Sequence, residues 1–454
     1  MTLAGLLLGL GLAYAAGGLF AWRLWPGREK PALLLAALAW PAGLALTSSA
    51  YFLWMSISGG RAALYPWLEV VALAAASWFV RGARRVSGDR LVLPRRPKSA
   101  VEATALVVLA LVVACALLVV LRYDAASPRG YWDAWARINL KARFLHAGGP
   151  EWTWIFRGDG VPHPDYPLLL ECSVARLAHW SGWSGGVELL PARVLSVLGW
   201  LACSTTLLAL VGHLRSPFLA AAAGIVLLCN RTDISWAATQ YADFALATYF
   251  TWSAGLLVLA TRGESSAEPW WPLVAFCVGS AAWCKDEGLA FAALVSAAAL
   301  VAWISRGGRR WQAATAWAAG LLLGGGSVLV LKLGYSWRSS VFGARESSIW
   351  QDLTDPARYR VMGDYLLGHV RFEMAGWTLL PIAVALLLLP RERELRRSWL
   401  PCLLCAGTGL VFFLVMITTR EDLDWHVGTT IERLVLHLWP TATLGAMVVL
   451  KSRE

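Results

Sequence analysis

The chain has 454 residues, of which 58% are hydrophobic and only 15% charged, with a mean hydropathy of +0.56. A soluble domain of this length needs more polar surface, so the composition excludes one and points to an all-α polytopic membrane protein. The formal charge of +11 is spread over short basic clusters between apolar runs, as topology signals are, so no nucleic acid is expected as a partner.

The first apolar run, Leu3–Trp22, has no basic stretch before it and no small-residue cleavage site, and reads as a retained span. Threading runs of roughly 20 residues between the basic loops gives about 13 membrane helices. They lie near 3–22, 33–56, 63–80, 102–121, 190–212, 217–232, 243–261, 270–285, 288–305, 312–333, 374–390, 399–418 and 434–450. The loops RLWPGREK (Arg23–Lys30), RRVSGDRLVLPRRPK (Arg84–Lys98), SRGGRR (Ser305–Arg310), RERELRR (Arg391–Arg397) and the terminal KSRE mark the cytoplasmic side. The 27 Trp residues suit a protein with much interfacial surface. Most Cys residues, such as Cys115, Cys203 and Cys277, lie in apolar runs and read as small hydrophobes. Cys402 and Cys405 form a CxxC inside an expected span, with no companion pair for zinc or redox chemistry.

This topology gathers the polar segments Arg122–Glu188, Gly334–Glu373 and Thr418–Arg433 on the non-cytoplasmic side. The corners Asp233–Asp243 and Lys285–Glu287 join them there. A transporter places charged groups near mid-membrane, and Glu69 is one of few candidates. Charge concentrated at one face argues for a surface active site.

The outer loop 122–188 opens with GYWDAWARINLKARFLHAGG, Gly130–Gly149. As a helix it places Tyr131, Ala134, Trp135, Ile138, Ala142 and Leu145 on one stripe. Asp133 and Arg137 lie i,i+4 on the opposite side, flanked by Asn139, Arg143 and His146. That pattern predicts an amphipathic interfacial helix, stopped by Gly148–Gly149–Pro150. HPDYPLLLECSVARLAHWSG, His163–Gly182, predicts a second interfacial helix. A membrane span over 166–182 is the alternative, and it would invert the topology that follows.

An acidic residue just after a span, an amphipathic helix, HPDYPLLLE and a span opening PARVLSVLG together resemble the first loop of C-type (GT-C) integral-membrane glycosyltransferases. That group includes protein O-mannosyltransferases and the aminoarabinose transferases of lipid A. WCKDEG (Trp283–Gly288) resembles their Lys-x-Glu-Gly corner, and LDWHVGTTIERLVLHLWP (Leu423–Pro440) is similar to the terminal loop and span of bacterial members. The resemblance covers 101–450 and rests on the order and shared side of these segments. Residues 1–100, a three-helix N-terminal segment, lie outside it.

The resemblance implies a polyprenyl-phosphate sugar as donor and a glycan, lipid or protein as acceptor. The site would lie on the outer face of a bacterial inner membrane. A carboxylate there can take the acceptor's proton, and cations can stabilise the leaving phosphate. Asp133 is the expected base, with Asp124 as backup; many relatives have Asp-Glu or Glu-x-x-Tyr where this chain has Trp-Asp-Ala-Trp. Asp133 also reads as a helix-start carboxylate paired with Arg137. Lys285, Arg433 and Arg420 are the expected phosphate ligands, although Lys285 also fits an interfacial loop with a snorkelling side chain. Glu432 reads as an ion-pair partner of Arg433. The substrate-binding set is His163, Asp165, Tyr166, Asp243, Glu287, Trp425 and His426. In the simpler alternatives, His163 and Asp165 only build a proline-rich turn and Asp243 only caps a helix. No metal-ligand motif stands out, and dependence on a divalent metal is open because members of the group differ. Two other functions share these features: a transporter or flippase of lipid-linked sugars, and a catalytically silent lipid-binding scaffold.

Overall fold

Leu and Ala dominate the apolar runs and lose little rotamer freedom in a helix, so the chain is helical almost throughout. The computed structural model describes residues 2–94, 97–157, 160–184, 189–262, 268–305, 311–336, 349–369 and 400–450. The N-terminal segment is a trio of helices, α1 (Leu3–Leu24), α2 (Ala32–Ser58) and α3 (Tyr65–Ser87). α1 and α2 touch backbone to backbone, because a Cβ at Gly17 would fall 1.9 Å from the Ala39 carbonyl oxygen. Small residues permit that approach where apolar burial alone drives little association. Two three-residue strands, β1 (Glu29–Pro31) and β2 (Arg90–Val92), pair in parallel with Glu29 opposite Arg90. They bring the basic loops that follow α1 and α3 to one end of the bundle.

α4 (Ala100–Ala126) is capped by Ser99, whose hydroxyl accepts from the Glu102 N–H. The segment expected as the first outer loop carries α5 (Asn139–Ala147) and α6 (Leu169–Ser181), followed by α7 (Leu190–Leu214), α8 (Pro217–Leu228) and the short α9 (Arg231–Trp236). The rest of the core is α10 (Asp243–Arg262), α11 (Trp271–Cys284), α12 (Asp286–Ser305) and α13 (Trp311–Gly334). α14 (Ile349–Thr354) and α15 (Pro356–His369) fall in the expected polar segment Gly334–Glu373, and α16 (Leu400–Ile417) and α17 (Leu423–Val449) complete the order. α10 is the axis: it packs against α7, α11, α16 and α17. Its most apolar window is 78% buried, against 11% for α4, which lies on the rim.

Eight described helices, α1, α2, α4, α7, α10, α12, α13 and α16, are long and apolar enough to cross a membrane. This is an all-α, multi-pass architecture. The finer expectation of 13 spans is not matched helix by helix. α8 and α11 have 12 and 14 residues, about 18 and 21 Å of helix, too short to cross a bilayer alone. The expected span 63–80 falls on α3, whose apolar part is the shorter stretch Ala62–Trp78. The expected span 434–450 is the second part of α17, which is not among the eight. The span 374–390 and the Arg391–Arg397 marker lie outside the described residues.

The two predicted interfacial helices differ from expectation. α6 is enclosed: Leu169 to Ala178 is buried throughout, with α1, α2, α5 and α7 around it. Its 13 residues neither lie on the surface nor span a membrane. Its polarity explains this, because Arg176 and Glu171 need partners that lipid cannot supply. Arg176 reaches Glu69 of α3 in a buried bidentate pair, and Glu69 also accepts from Trp180 Nε1 at 3.1 Å. Ser48 of α2 donates to the Leu169 carbonyl at 2.8 Å, and Tyr51 donates to the Leu145 carbonyl at 2.8 Å. The N-terminal trio therefore grips the first outer loop directly.

Candidate functional site

Asp243 is the first residue of α10 and is only 2% exposed. The corner before it holds Gln240 in the left-handed region, at φ 62°. That geometry is unfavourable for a residue with a Cβ, and three bonds fix it. The Gln240 N–H donates to Ser196 Oγ at 3.0 Å, Asn139 Nδ2 donates to its Oε1 at 3.0 Å, and its Nε2 donates to the Pro128 carbonyl at 3.1 Å. The corner thus ties the first outer loop to the head of α10.

Three donors converge on Asp243. Lys285 Nζ lies 2.8 Å from Oδ1, Arg433 Nε lies 3.1 Å from Oδ2, and His437 Nε2 lies 2.6 Å from Oδ1. A carboxylate only accepts, so His437 donates from Nε2; its Nδ1 has no partner among the described residues. Arg433 and His437 are four residues apart on α17 and therefore share a face. Lys285 breaks the chain between α11 and α12 in an extended conformation and also pairs with Glu287 at 2.9 Å.

Asp133 joins this cluster from the first outer loop. Arg433 Nη1 lies 2.9 Å from its Oδ2, and both side chains are 15% exposed. The Asp133 N–H donates to the Tyr241 hydroxyl at 3.0 Å, and the Arg433 guanidinium sits 4.7 Å from the centre of the Tyr241 ring. Burial, with Asp133 next, pushes the Tyr241 hydroxyl up to about 12. Three carboxylates, those of Asp133, Asp243 and Glu287, thus face two fixed cations, Lys285 and Arg433. With His437 neutral the cluster is one negative charge in excess.

Asp133 precedes a wide helical turn over Ala134–Ile138 that leads into α5; such π-type turns recur at functional sites. The stripe expected here is partly reversed. Ala134, Ile138, Ala142 and Leu145 are buried, but so are Arg137, Asn139 and Lys141, while Tyr131, Trp132 and Trp135 are exposed. Charged side chains turn inward to their partners, and the rings are left for the interface. Asp133 is not paired with Arg137, whose Nη1 turns to Glu171 of α6 at 3.3 Å. Nor is Glu432 the partner of Arg433; it accepts from Trp236 Nε1 at 3.0 Å.

His163, Asp165 and Tyr166 form a turn that two lysines hold. His163 is left-handed at φ 49°. Its carbonyl accepts from Lys141 Nζ at 2.5 Å, and the Asp165 carbonyl accepts from Lys332 Nζ of α13 at 2.7 Å. Lys332 also lies 3.6 Å from the Asp165 carboxylate and 3.5 Å from Asp286. The His163 and Tyr166 rings meet at a tilt with centres 4.5 Å apart, and Arg137 lies 4.9 Å from the Tyr166 ring centre. Burial pushes the Lys141 amine down to about 7 against the pull of Glu171. Burial also holds the His163 imidazole below its usual range, with Arg137 adding to the effect.

The other expected residues stand apart. Asp124 is bonded by Arg193 of α7, with Nη2 to Oδ2 at 2.7 Å, and is separate from the Asp243 cluster. Arg420 and Trp425 are exposed at the turn from α16 into α17. His426 Nδ1 meets Thr419 Oγ1 at 2.6 Å, and Glu287 acts on the His426 ring through space. Among the described residues no three His, Cys, Asp or Glu side chains form a metal-ligating group. No family model, curated protein or solved structure matches the chain.

Sequence reasoning missed His437, Glu171, Lys141, Lys332 and Tyr241. The spacing of Arg433 and His437 was a usable signal, since two polar residues four apart on an apolar helix share a face. The lysines gave no such signal, because Lys141 is held by the His163 carbonyl and Lys332 by Asp165 and Asp286, none of them a neighbour on the same helix.

Proposed function

We propose that the chain transfers a sugar from a polyprenyl-phosphate carrier to an acceptor at the outer face of a bacterial inner membrane. The observation that carries this reading is the meeting of Asp133 with Arg433 at the open side of the Asp243 cluster. A partly exposed carboxylate and a fixed cation lie side by side there, in a segment that also exposes Trp132 and Trp135. Asp133 takes the proton from the acceptor's hydroxyl or amide. The freed pair attacks the anomeric carbon, the bond from that carbon to phosphate oxygen breaks, and its electrons leave with the polyprenyl phosphate. Arg433 offsets the charge that develops on the phosphate. Asp243 holds Arg433 and is itself held by Lys285 and His437, and Lys285, matched by the carboxylates of Asp243 and Glu287, has a positioning task. In this reading His163 and Tyr166, whose ring faces Arg137, are assigned to the sugar, and Trp425 and His426 to the acceptor.

The test uses purified protein in lipid nanodiscs with a panel of radiolabelled polyprenyl-phosphate sugars and a cell-envelope acceptor fraction. Label should move to the acceptor in the wild type and fall about 100-fold or more in Asp133→Asn. Transfer that survives Asp133→Asn would remove the base. Movement of intact labelled lipid across liposomes without transfer would replace the reading with a flippase.

A further inference from the structure

Arg137 follows Asp133 by four residues, a spacing that ordinarily pairs the two on a helix. In the folded protein Asp133 acts on Arg137 through space, but the Arg137 guanidinium bonds to Glu171 instead. Among the described residues that is its one side-chain hydrogen bond, at 3.3 Å; Arg137 Nε has no partner, and the other contact of the guanidinium is the face of the Tyr166 ring. A buried guanidinium held so lightly moves to the next carboxylate if Glu171 loses its charge.

Glu171 itself cannot drift. It sits in the first turn of α6, 1% exposed, and that helix is fixed from the opposite side. Arg176, five residues on and therefore on a different face, is clamped to Glu69 of α3 and donates to the Gly9 carbonyl of α1. α6 is thus a bar anchored in the N-terminal trio at one face and holding Arg137 at another.

We propose that Glu171 is a positioning residue that keeps Arg137 off Asp133, leaving the Asp133 carboxylate one cation partner among the described residues, Arg433. Two cations on Asp133 make it a poorer proton acceptor; one orients it. The N-terminal trio, which lies outside the glycosyltransferase resemblance, acquires a function from this: it sets the rotation of the helix that carries Glu171. The kinetic consequence rests on the reading of Asp133 as base, whereas the structural one does not.

Two arms test it. In the structure of Glu171→Gln, the Arg137 guanidinium is expected within about 4 Å of the Asp133 carboxylate, the reach of an ion pair. In the transfer assay with the labelled donor, Glu171→Gln is expected to lower kcat about tenfold with KM for the donor unchanged. Removing the displaced cation in Arg137→Gln/Glu171→Gln should restore kcat to within about twofold of wild type. A double variant as slow as Glu171→Gln, or an Arg137 that stays beside residue 171, would overturn the proposal. Should Glu171→Gln fail to fold, Lys141→Met/Glu171→Gln keeps the local charge of the wild type and serves the structural arm. If Arg137 moves onto Asp133 but neither Glu171→Gln nor Asp133→Asn alters transfer, the base assignment fails and the positioning stands.

Discussion

Two buried charge clusters in this fold are built differently. Glu69 and Arg176 are 7% and 1% exposed, matched one to one, and closed by Trp180 and the Gly9 carbonyl. The cluster on Asp243 sets three carboxylates against two fixed cations and opens to the surface at Asp133 and Arg433. A closed, balanced pair recovers its desolvation cost inside the fold and has nothing left to offer a ligand. An unbalanced, half-open cluster keeps a charge in reserve where a substrate can reach it. The difference separates a structural clamp from a candidate site.

The strongest way to break that contrast is Asp243→Ala, which strips the shared acceptor from Lys285, Arg433 and His437. Stability measured by thermal or denaturant unfolding in detergent should fall by about 3–5 kcal/mol, with transfer lost. Glu69→Gln, which leaves Arg176 only partly satisfied, should cost about 3 kcal/mol in the same measurement. A drop under about 1 kcal/mol would show that the pair is no clamp. Asp133→Asn should reverse the pattern, lowering transfer about 100-fold while the unfolding midpoint stays near wild type, because its side chain is partly exposed.

A pH experiment sharpens the contrast further. Lys141 holds its proton less tightly in the folded protein, near pH 7, than in the unfolded chain, near 10.5. Between those values the unfolded state binds more protons, so this residue makes stability rise with pH across that window. Lys141→Met should remove that rise, which amounts to at most about 1.4 kcal/mol per pH unit. Identical slopes in the two proteins would mean that Lys141 is not buried beside His163. The smallest effect is expected from Asp124→Asn, whose partner Arg193 is 25% exposed. Asp124 itself is buried, but the amide keeps an acceptor for Arg193, so the change should cost about 1.5 kcal/mol or less and leave transfer intact, as expected of a residue outside the site.

Much of the site was legible as composition and order. Asp133, Lys285, Arg433 and Asp243 stood out because a charged residue beside an apolar run is costly unless it has a purpose, and the fold brings these four together. Their partners were not legible. Asp133 and Arg433 are 300 positions apart, and sequence spacing predicts neighbours only along one helix. The local rule even chose wrongly for Arg137, since it could not know that Glu171 would be delivered by another helix. α6 was misplaced for the same reason: thirteen residues with two charges look interfacial until α1, α2 and α3 are wrapped around them.

The sequence alone determined the helical, multi-pass class of the molecule, because hydropathy acts locally on each segment. Only the tertiary structure decided which carboxylate meets which cation. A buried ion's partner is fixed by packing in three dimensions, and a pair, a triad or a shared acceptor can be built from the same residues. That choice gave Arg433 to Asp133 and Arg137 to Glu171.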